Sequence, residues 1–229
     1  PVKKKTAVAT LGAQLQTLRM AALSPAGDRL PEPRSDIDFT PKIAGILQLA
    51  TELAEKGEQL VVFSPFKAFS RTLSRYLTTA HLDHALLDGD TTPTKRGIAA
   101  KRFKERAYPV LIAGIDSMAE GHSFDNASNL VLPSLSWAYD ANAQCIERVH
   151  RLTSRKSVNI YLMVTKNTID QRLASVFQEK GDSSDLALDG RLFETDKKEM
   201  DLGEFLDATL KDFDPTADTI SEEACLAQY

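Results

Sequence analysis

The sequence predicts an open α/β domain whose mostly parallel sheet is covered by helices on both faces. Short apolar runs alternate about five times with segments of helical periodicity. Polar loops follow these runs, for example Asp88-Gly89-Asp90-Thr91 after the second one. This alternation favours right-handed crossovers between parallel strands, and ligands then bind at the carboxyl ends of the strands.

Each element has a local signal. Gly57 is placed to stop the helix before the first strand, and Pro93 suits the first turn of a later helix. A further helix over residues 11–22 precedes a Pro- and Gly-rich linker, and Lys3-Lys4-Lys5 is expected to fray. The expected strands cover residues 60–63, 85–87, 110–113, 129–132 and 158–164, and the expected helices cover 42–56, 68–79, 94–106, 141–152 and 168–177.

Three parts are expected along the chain: a helical lead and linker (1–35), one α/β domain (36–180) and an acidic extension (181–229). The net charge of −4 hides a split, because residues 182–229 carry fourteen acidic and four basic side chains. The remaining residues are therefore mildly basic, which suits a phosphate-rich partner.

Composition excludes several classes of protein. No apolar run is long enough to cross a bilayer, no signal peptide is evident, and no membrane partner is expected. Cys145 and Cys225 lie far apart without metal-ligand spacing, which favours a reducing compartment. We therefore expect a cytoplasmic protein, or a nuclear one in a eukaryote. Because the chain begins at Pro1, we expect a fragment or a processed product.

The segment 141–152 carries the most informative side chains. As a helix it places Gln144, Arg148 and Arg151 on one face, at spacings of four and three residues. Two permanently charged guanidiniums one turn apart suit a phosphate group. A basic surface helix paired with Glu147 and Asp140 is the alternative, and these residues alone leave both open.

Two absences bear on this choice. The sequence has no Gly-rich loop ending in Gly-Lys-Ser/Thr, and no Asp-Glu pair ends an apolar strand. The chain is therefore expected to lack both a phosphate cradle and a metal site. An arginine pair without a cradle is typical of an arginine finger that completes a site on another domain or subunit.

Several motifs in order carry a family resemblance. They are Leu60-Val61-Val62-Phe63-Ser64, then Leu87-Asp88-Gly89-Asp90-Thr91 with Arg96 and Phe103, then Val110 to Phe124 with Glu120-Gly121, then Trp137 with Gln144, Arg148, His150 and Arg151, and lastly Val158 to Val164 with Thr168-Ile169-Asp170. From Leu18 to about Leu173 the sequence resembles the second RecA-like lobe of superfamily-two helicases. Gln144 and the Arg-x-His-Arg ending make it most similar to the Swi/Snf-type DNA translocases.

This resemblance implies a single three-layer RecA-like domain, similar to the P-loop NTPases but without the P-loop. It implies that Arg148 and Arg151 contact the phosphates of ATP, and that Gln144, Gly121 and Glu120 lie toward the nucleotide. Ser64, Lys67, Asp88, Gly89, Thr91 and Gly114 are the expected nucleic-acid contacts.

Simpler interpretations remain open for single residues. Asp88 and Asp90 suit a turn and helix cap, and Glu120 suits a structural role. Lys67 and Arg71 suit either a phosphate or a solvated helix face. Trp137 is expected to pack against its own domain and Cys145 to be a small core residue, while His150 is expected to be half-buried and bonded to backbone.

The function expected from these observations is the second motor lobe of an ATP-dependent DNA helicase or translocase. ATP and Mg²⁺ would be bound mainly by a first RecA-like lobe, in cis or in trans, that this chain lacks. The isolated chain is therefore expected to be inactive. The DNA contacts would be to the backbone and not sequence-specific. The alternatives are a stand-alone nucleic-acid or protein binding module of the same fold, and an unrelated α/β nucleotide enzyme.

Overall fold

The chain forms a five-stranded, all-parallel sheet in the order β2-β3-β1-β4-β5. A computed structural model describes residues 2–23, 39–115, 123–150 and 157–188, with side chains of residues 13–23, 39–115, 123–150 and 157–178. The strands are β1 (Leu60–Ser64), β2 (His84–Leu87), β3 (Val110–Gly114), β4 (Asn129–Leu132) and β5 (Asn159–Leu162). The helices are α1 (Val2–Leu23), α2 (Pro41–Glu55), α3 (Lys67–Thr79), α4 (Pro93–Lys104), α5 (Tyr139–Val149) and α6 (Ile169–Leu188). The predicted α/β fold class is confirmed.

The central strand β1 is completely buried and pairs with β3 on one side and β4 on the other. Alternate residues of a strand point to opposite faces of the sheet. Val62 therefore faces the core that α2 and α3 cover, with Ile46 and Leu73 among its members. Phe63 points to the other face, where Phe124 lies 6.4 Å from it between ring centres. Burial on both faces explains why β1 is a continuous apolar run.

Helix α2 begins where Thr40 joins it to α1. The Thr40 hydroxyl accepts from the N–H of Ile43 at 3.4 Å and donates to the carbonyl of Leu23 at 3.0 Å. Pro41 then occupies the first helical position, where its missing N–H costs nothing. These contacts fix the end of α1 against the start of the sheet domain.

Several predicted boundaries were wrong. Helix α1 begins at Val2 rather than at residue 11 and includes Lys3-Lys4-Lys5, and α6 continues to Leu188 rather than ending at residue 177. Strand β5 is shorter than residues 158–164 because β4, its partner, offers only four positions from Asn129 to Leu132. Among the described residues, no helix has the length and apolar character that a membrane span requires.

Candidate functional site

One buried side-chain amide, that of Asn142, holds the backbone just before α5. The side chain of Asn142 accepts from the N–H of Ser136 at 2.7 Å and donates to the carbonyls of Ser136 at 2.9 Å and Ala138 at 3.2 Å. Ala138, at the N-cap position, has no side chain that could cap the helix. Asn142 therefore does this work from inside the first turn, which holds the loop before α5 at a fixed angle.

The exposed side of α5 presents the predicted nucleotide residues. Gln144 is exposed and Arg148, one turn later, is half-buried, while Cys145 and Val149 are buried. Within the described residues the Arg148 side chain has no carboxylate partner, so the pairing with Glu147 and Asp140 that the alternative interpretation requires is not formed by Arg148. Cys145 is a small core residue as predicted.

Helix α5 ends at Val149, three residues earlier than the predicted end at 152. His150 has an extended backbone (φ −99°, ψ 102°), and its N–H still donates to Ile146 at 2.7 Å. His150 is exposed rather than half-buried as expected. Arg151 lies outside the described residues, so its predicted placement beside Arg148 stays a prediction.

The backbone of Arg148 is joined to the segment that follows β3. The N–H of Phe124 donates to the carbonyl of Arg148 at 2.7 Å. Phe124 is fully buried against Phe103 of α4, with ring centres 5.9 Å apart. Glu120 and Gly121, predicted to lie toward the nucleotide, fall outside the described residues, but the chain immediately after them is tied to the end of α5.

Ser64 and Gly114 end neighbouring strands and are register partners. The Ser64 side chain is only 1% exposed, and its hydroxyl accepts from the N–H of Phe66 at 3.1 Å. The Ser64 carbonyl accepts from the N–H of Ile115 at 3.2 Å. The hydroxyl is thus used within its own turn, and Ser64 and Gly114 as contacts to nucleic acid stay predictions.

The loop after β2 forms the predicted turn. The Asp88 carboxylate accepts from the N–H of Asp90 at 3.0 Å and from the hydroxyl of Thr91 at 3.1 Å. Arg71 of α3 donates to Asp88 at 3.0 Å and to Asp90 at 2.6 Å, and Lys67 forms an ion pair with Asp90. Lys67 and Arg71 are neither unpaired cations available to a phosphate nor purely solvated side chains, because both form ion pairs with carboxylates of the same loop.

These contacts set the charge state of the loop. Desolvation by burial is the largest influence on the Asp88 carboxyl and raises its pKa, but the hydrogen bonds from Arg71, Asp90 and Thr91 together bring the pKa below its ordinary value. The Lys67 ammonium, followed by the Arg71 guanidinium, lowers the pKa of Asp90. Both loop carboxylates are therefore ionised at neutral pH.

Gly89 lies exposed at the tip of this loop. A Cβ atom there would meet no atom within 4 Å. The fold itself therefore does not require a glycine, and Gly89 as a contact to nucleic acid stays a prediction. The carboxylates of the loop do not form a metal site: among the described residues, no group of three or more His, Cys, Asp or Glu could hold an ion.

Sequence reasoning did not predict the burial of two cations near α5. Lys42 of α2 donates to the Pro133 carbonyl at 2.6 Å and pairs with Asp170 of α6 at 2.5 Å. Arg19 of α1 is 2% exposed and donates to the carbonyl of Leu135. The available signal was a basic residue at a position that helical periodicity assigns to the buried stripe, as Arg19 stands four residues from both Leu15 and Leu23.

Burial lowers the pKa of Arg19 to about 10, against the raising effect of the Asp170 carboxylate. The pKa of Lys42 is also lowered, first by burial, with the charge and hydrogen bond of Asp170 opposing the shift. Arg19 remains positively charged at neutral pH and Asp170 lies close to both cations. One buried cluster of charge therefore joins α1, α2 and α6 to the loop that leads into α5.

Comparisons with known proteins match the sheet domain. Residues 41–153 match the family model of the helicase conserved C-terminal domain. The C-terminal part of the Fun30 ATPase domain superposes with a TM-score of 0.55 at 25% identity, covering 59% of this chain and 45% of that one.

Curated relatives agree with that match. The SWI/SNF-related matrix-associated actin-dependent regulator of chromatin subfamily A-like protein 1 of Bos taurus is 29% identical over 143 residues. The ATP-dependent helicase FUN30 of Saccharomyces cerevisiae is 29% identical over 155 residues. Residues 41–153 are thus a helicase C-terminal domain, similar to that of Swi/Snf-type superfamily-two helicases.

The helicase lobe is a small part of these relatives. The alignments cover 61% and 67% of this chain but only 15% and 13% of the Bos taurus and Saccharomyces cerevisiae proteins. The matched residues 41–153 extend from α2 through α5 and include every strand but β5. Helix α1, which supplies Arg19, lies outside the family match.

Proposed function

We propose that this chain is the second motor lobe of an ATP-dependent DNA helicase or translocase, which supplies Arg148 and Arg151 to ATP bound by a first lobe. The observation that carries the proposal is the state of Arg148. Arg148 is half-buried on α5 and forms no ion pair with a carboxylate among the described residues. A cation held in that way is prepared for an external anion, because it need not first break an ion pair.

The chemistry follows from what the sequence lacks. Without a phosphate loop or a magnesium site, this lobe cannot by itself hold ATP for hydrolysis. Closure of the two lobes would bring Arg148 and Arg151 against the γ-phosphate. There they would stabilise the negative charge that develops on the transferring phosphoryl group. Mg²⁺ would be held by the first lobe, where it neutralises phosphate charge.

Contacts to DNA belong to the same proposal. Ser64 and Gly114 end β1 and β3, and the loop Asp88–Thr91 follows β2. These three strands lie side by side in the sheet, so the residues share its carboxyl edge. Lys67 and Arg71 stand beside that loop. We propose that phosphates of the DNA backbone displace the Asp90 carboxylate from Lys67 and Arg71 and pair with these two cations instead. Contacts to phosphates carry no sequence information, so this binding would have no sequence preference.

The decisive experiment measures ATP hydrolysis. The 229-residue chain alone is expected to show no turnover above background. When the chain is joined to the first RecA-like lobe of a Swi/Snf-type ATPase, DNA-stimulated hydrolysis is expected. Arg148→Ala should then lower kcat by about a thousandfold, the usual effect of removing an arginine finger, with little change in ATP affinity.

Arg75→Ala is the matched control, because Arg75 is an exposed arginine of α3. It should leave kcat unchanged. Robust turnover by the chain alone would contradict the proposal, and so would an Arg148→Ala variant that hydrolyses ATP as fast as its parent.

A further inference from the structure

Arg19 occupies the crevice at the carboxyl ends of β1 and β4. These strands are neighbours, but the chain leaves β1 toward β2 and leaves β4 toward β5, in opposite directions along the sheet. Such a divergence opens a crevice in which α/β proteins commonly bind ligands. Here Phe66 follows β1 and Trp137 follows β4, and the Arg19 guanidinium lies 4.9 Å and 4.8 Å from their ring centres.

Hydrogen bonds fix the guanidinium in this position. One terminal nitrogen donates to the carbonyl of Leu135, and the other donates to the side-chain carbonyl of Gln16 at 2.9 Å. The same Gln16 oxygen accepts from the indole N–H of Trp137 at 3.4 Å. Arg19 and Gln16 therefore hold both the backbone and the indole ring of the loop between β4 and α5.

Other contacts also hold this loop, residues 133–138. Lys42 holds the carbonyl of Pro133, and Asn142 holds both backbone groups of Ser136. Between these points, Leu135 and Trp137 contact Arg19 and Gln16 of α1. The direction in which the chain enters α5 is thus set by Asn142 within α5 and also, from outside the family-matched segment, by α1, which packs through Leu15, Arg19 and Leu23.

We propose that Arg19 is a positioning residue that fixes the loop 133–138 and, through it, the placement of α5 with Arg148. The packing of α1 against this loop then determines whether α5 holds Arg148 in the orientation that ATP hydrolysis requires. The relevance to ATP hydrolysis rests on the proposed function, whereas the placement of α5 can be measured without nucleotide. If Arg148 proved irrelevant to hydrolysis, the geometric inference would still stand or fall on its own.

Two natural reporters make the test specific. Trp137 is the only tryptophan of the chain, and Cys145 lies buried at the centre of α5. We suggest measuring Trp137 emission with acrylamide quenching, and the rate at which a maleimide labels Cys145. Peptide mass spectrometry separates Cys145 from Cys225, the second cysteine.

In the full 229-residue chain, Arg19→Met should shift Trp137 emission to the red and increase its quenching. Cys145 labelling should accelerate on the order of ten- to a hundredfold, the range expected when charged hydrogen bonds that hold a local structure are lost. Arg19→Lys, which keeps the charge without the planar fork, should give an intermediate rate. Gln16→Ala should give a smaller change in the same direction.

The controls separate placement from general stability. Gln14→Ala changes an exposed position of the same helix and should alter neither reporter. Leu53→Ala weakens the main core and should lower the melting temperature without shifting Trp137 emission in the folded state.

Folded Arg19→Met and Gln16→Ala variants with unchanged Cys145 labelling would overturn the proposal. If Arg19→Met does not fold, the comparison of Gln16→Ala with Gln14→Ala decides the question, because Gln16 is only partly buried.

Discussion

Lys42 and Asp170 form a buried ion pair whose side chains are 7% and 3% exposed. Asp170 also accepts from the N–H of Thr165 at 3.2 Å, and Lys42 also donates to Pro133 at 2.6 Å. Each of the two charges therefore depends on the other for its closest compensation. We predict that Lys42→Met lowers the free energy of unfolding by about 3 kcal/mol, because it leaves a buried carboxylate without its cation.

Urea denaturation of the chain measures this loss. Lys101→Met is the control, since Lys101 and Glu105 form an exposed pair that is worth little. The double variant Lys42→Met with Asp170→Leu should recover part of the stability, because it removes both charges together. Additive losses in the double variant would show that the two residues do not act as a pair.

The contacts of the loop after β2 predict how the stability of the fold depends on pH. Arg71 is 45% exposed and helps to hold the pKa of Asp88 below its ordinary value near 3.8. A carboxyl whose pKa is lower in the folded state adds stability above the unfolded value, and this stability is lost as the pH falls through the folded value. Arg71→Gln should therefore raise the Asp88 pKa, and the stability difference between parent and variant should shrink below about pH 4.

Carboxyl NMR titration gives the Asp88 pKa directly, and acid denaturation gives the stability difference. Arg75→Gln, on the same helix but outside the loop contacts, should leave the titration of Asp88 unchanged. An Asp88 pKa that is identical in parent and Arg71→Gln would show that the turn alone sets it.

Local residue roles could be predicted, but long-range ones could not. The Asp88 turn and the burial of Cys145 follow from spacing within a few residues. The roles of Arg19 and Lys42 depend on carbonyl partners 116 and 91 positions away. From the sequence alone, a basic residue on a helix is expected to be solvated, because whether a charge is buried depends on its tertiary partners.

At the scale of the element, α5 depends on Asn142. We predict that Asn142→Ala lowers the free energy of unfolding by about 2 kcal/mol, because buried backbone groups of Ser136 and Ala138 lose their partner. The first turn of α5 should also exchange its amide hydrogens faster, which hydrogen-exchange mass spectrometry can follow. Glu147→Ala, at an exposed position of the same helix, should change stability by less than about 0.5 kcal/mol.

The existence and type of the elements were predicted well, whereas several of their ends were not. Periodicity locates α2 and α3 closely, and for α2 the residues Thr40, Pro41 and Gly57 add local start and stop signals. No such signal marks the end of α5, where the backbone turns extended at His150 after a bond from Phe124 to Arg148. A tertiary hydrogen bond therefore ends this helix where helical periodicity would continue it.

At the scale of the whole molecule, charge is distributed unequally. Removing residues 189–229 takes away twelve acidic and four basic side chains, so that the net charge rises from −4 to +4. We predict that the chain truncated after Leu188 binds duplex DNA more tightly at low salt. The advantage should vanish above about 0.5 M salt, where the Debye length is only a few ångströms.

Fluorescence anisotropy with a labelled duplex over a salt series tests this effect. A full-length variant whose acidic residues in 189–229 are replaced by their amides should behave like the truncated chain. Superimposable binding curves for parent and truncated chain would show that the acidic extension has no electrostatic influence on DNA affinity.

The sheet order was the part of the architecture that the sequence left open. Alternating strands and helices predict parallel pairing and right-handed crossovers, but they do not say which strand is central. That choice follows from burial: β1 and β4 are buried along their whole length, whereas β5 is largely exposed and β2 only partly buried. The length and composition of an apolar run therefore indicate how deeply its strand is buried, but they do not indicate which strands lie next to it.

The central position of β1 has a consequence for how the chain folds during synthesis. Its two partners, β3 and β4, begin at Val110 and Asn129, so β1 leaves the ribosome well before either. Until then both of its edges are open, and its five apolar or small residues can pair with the wrong strand. Parallel sheets with such distant partners fold slowly, and nascent chains stopped before Asn129 should be the species that chaperones hold longest.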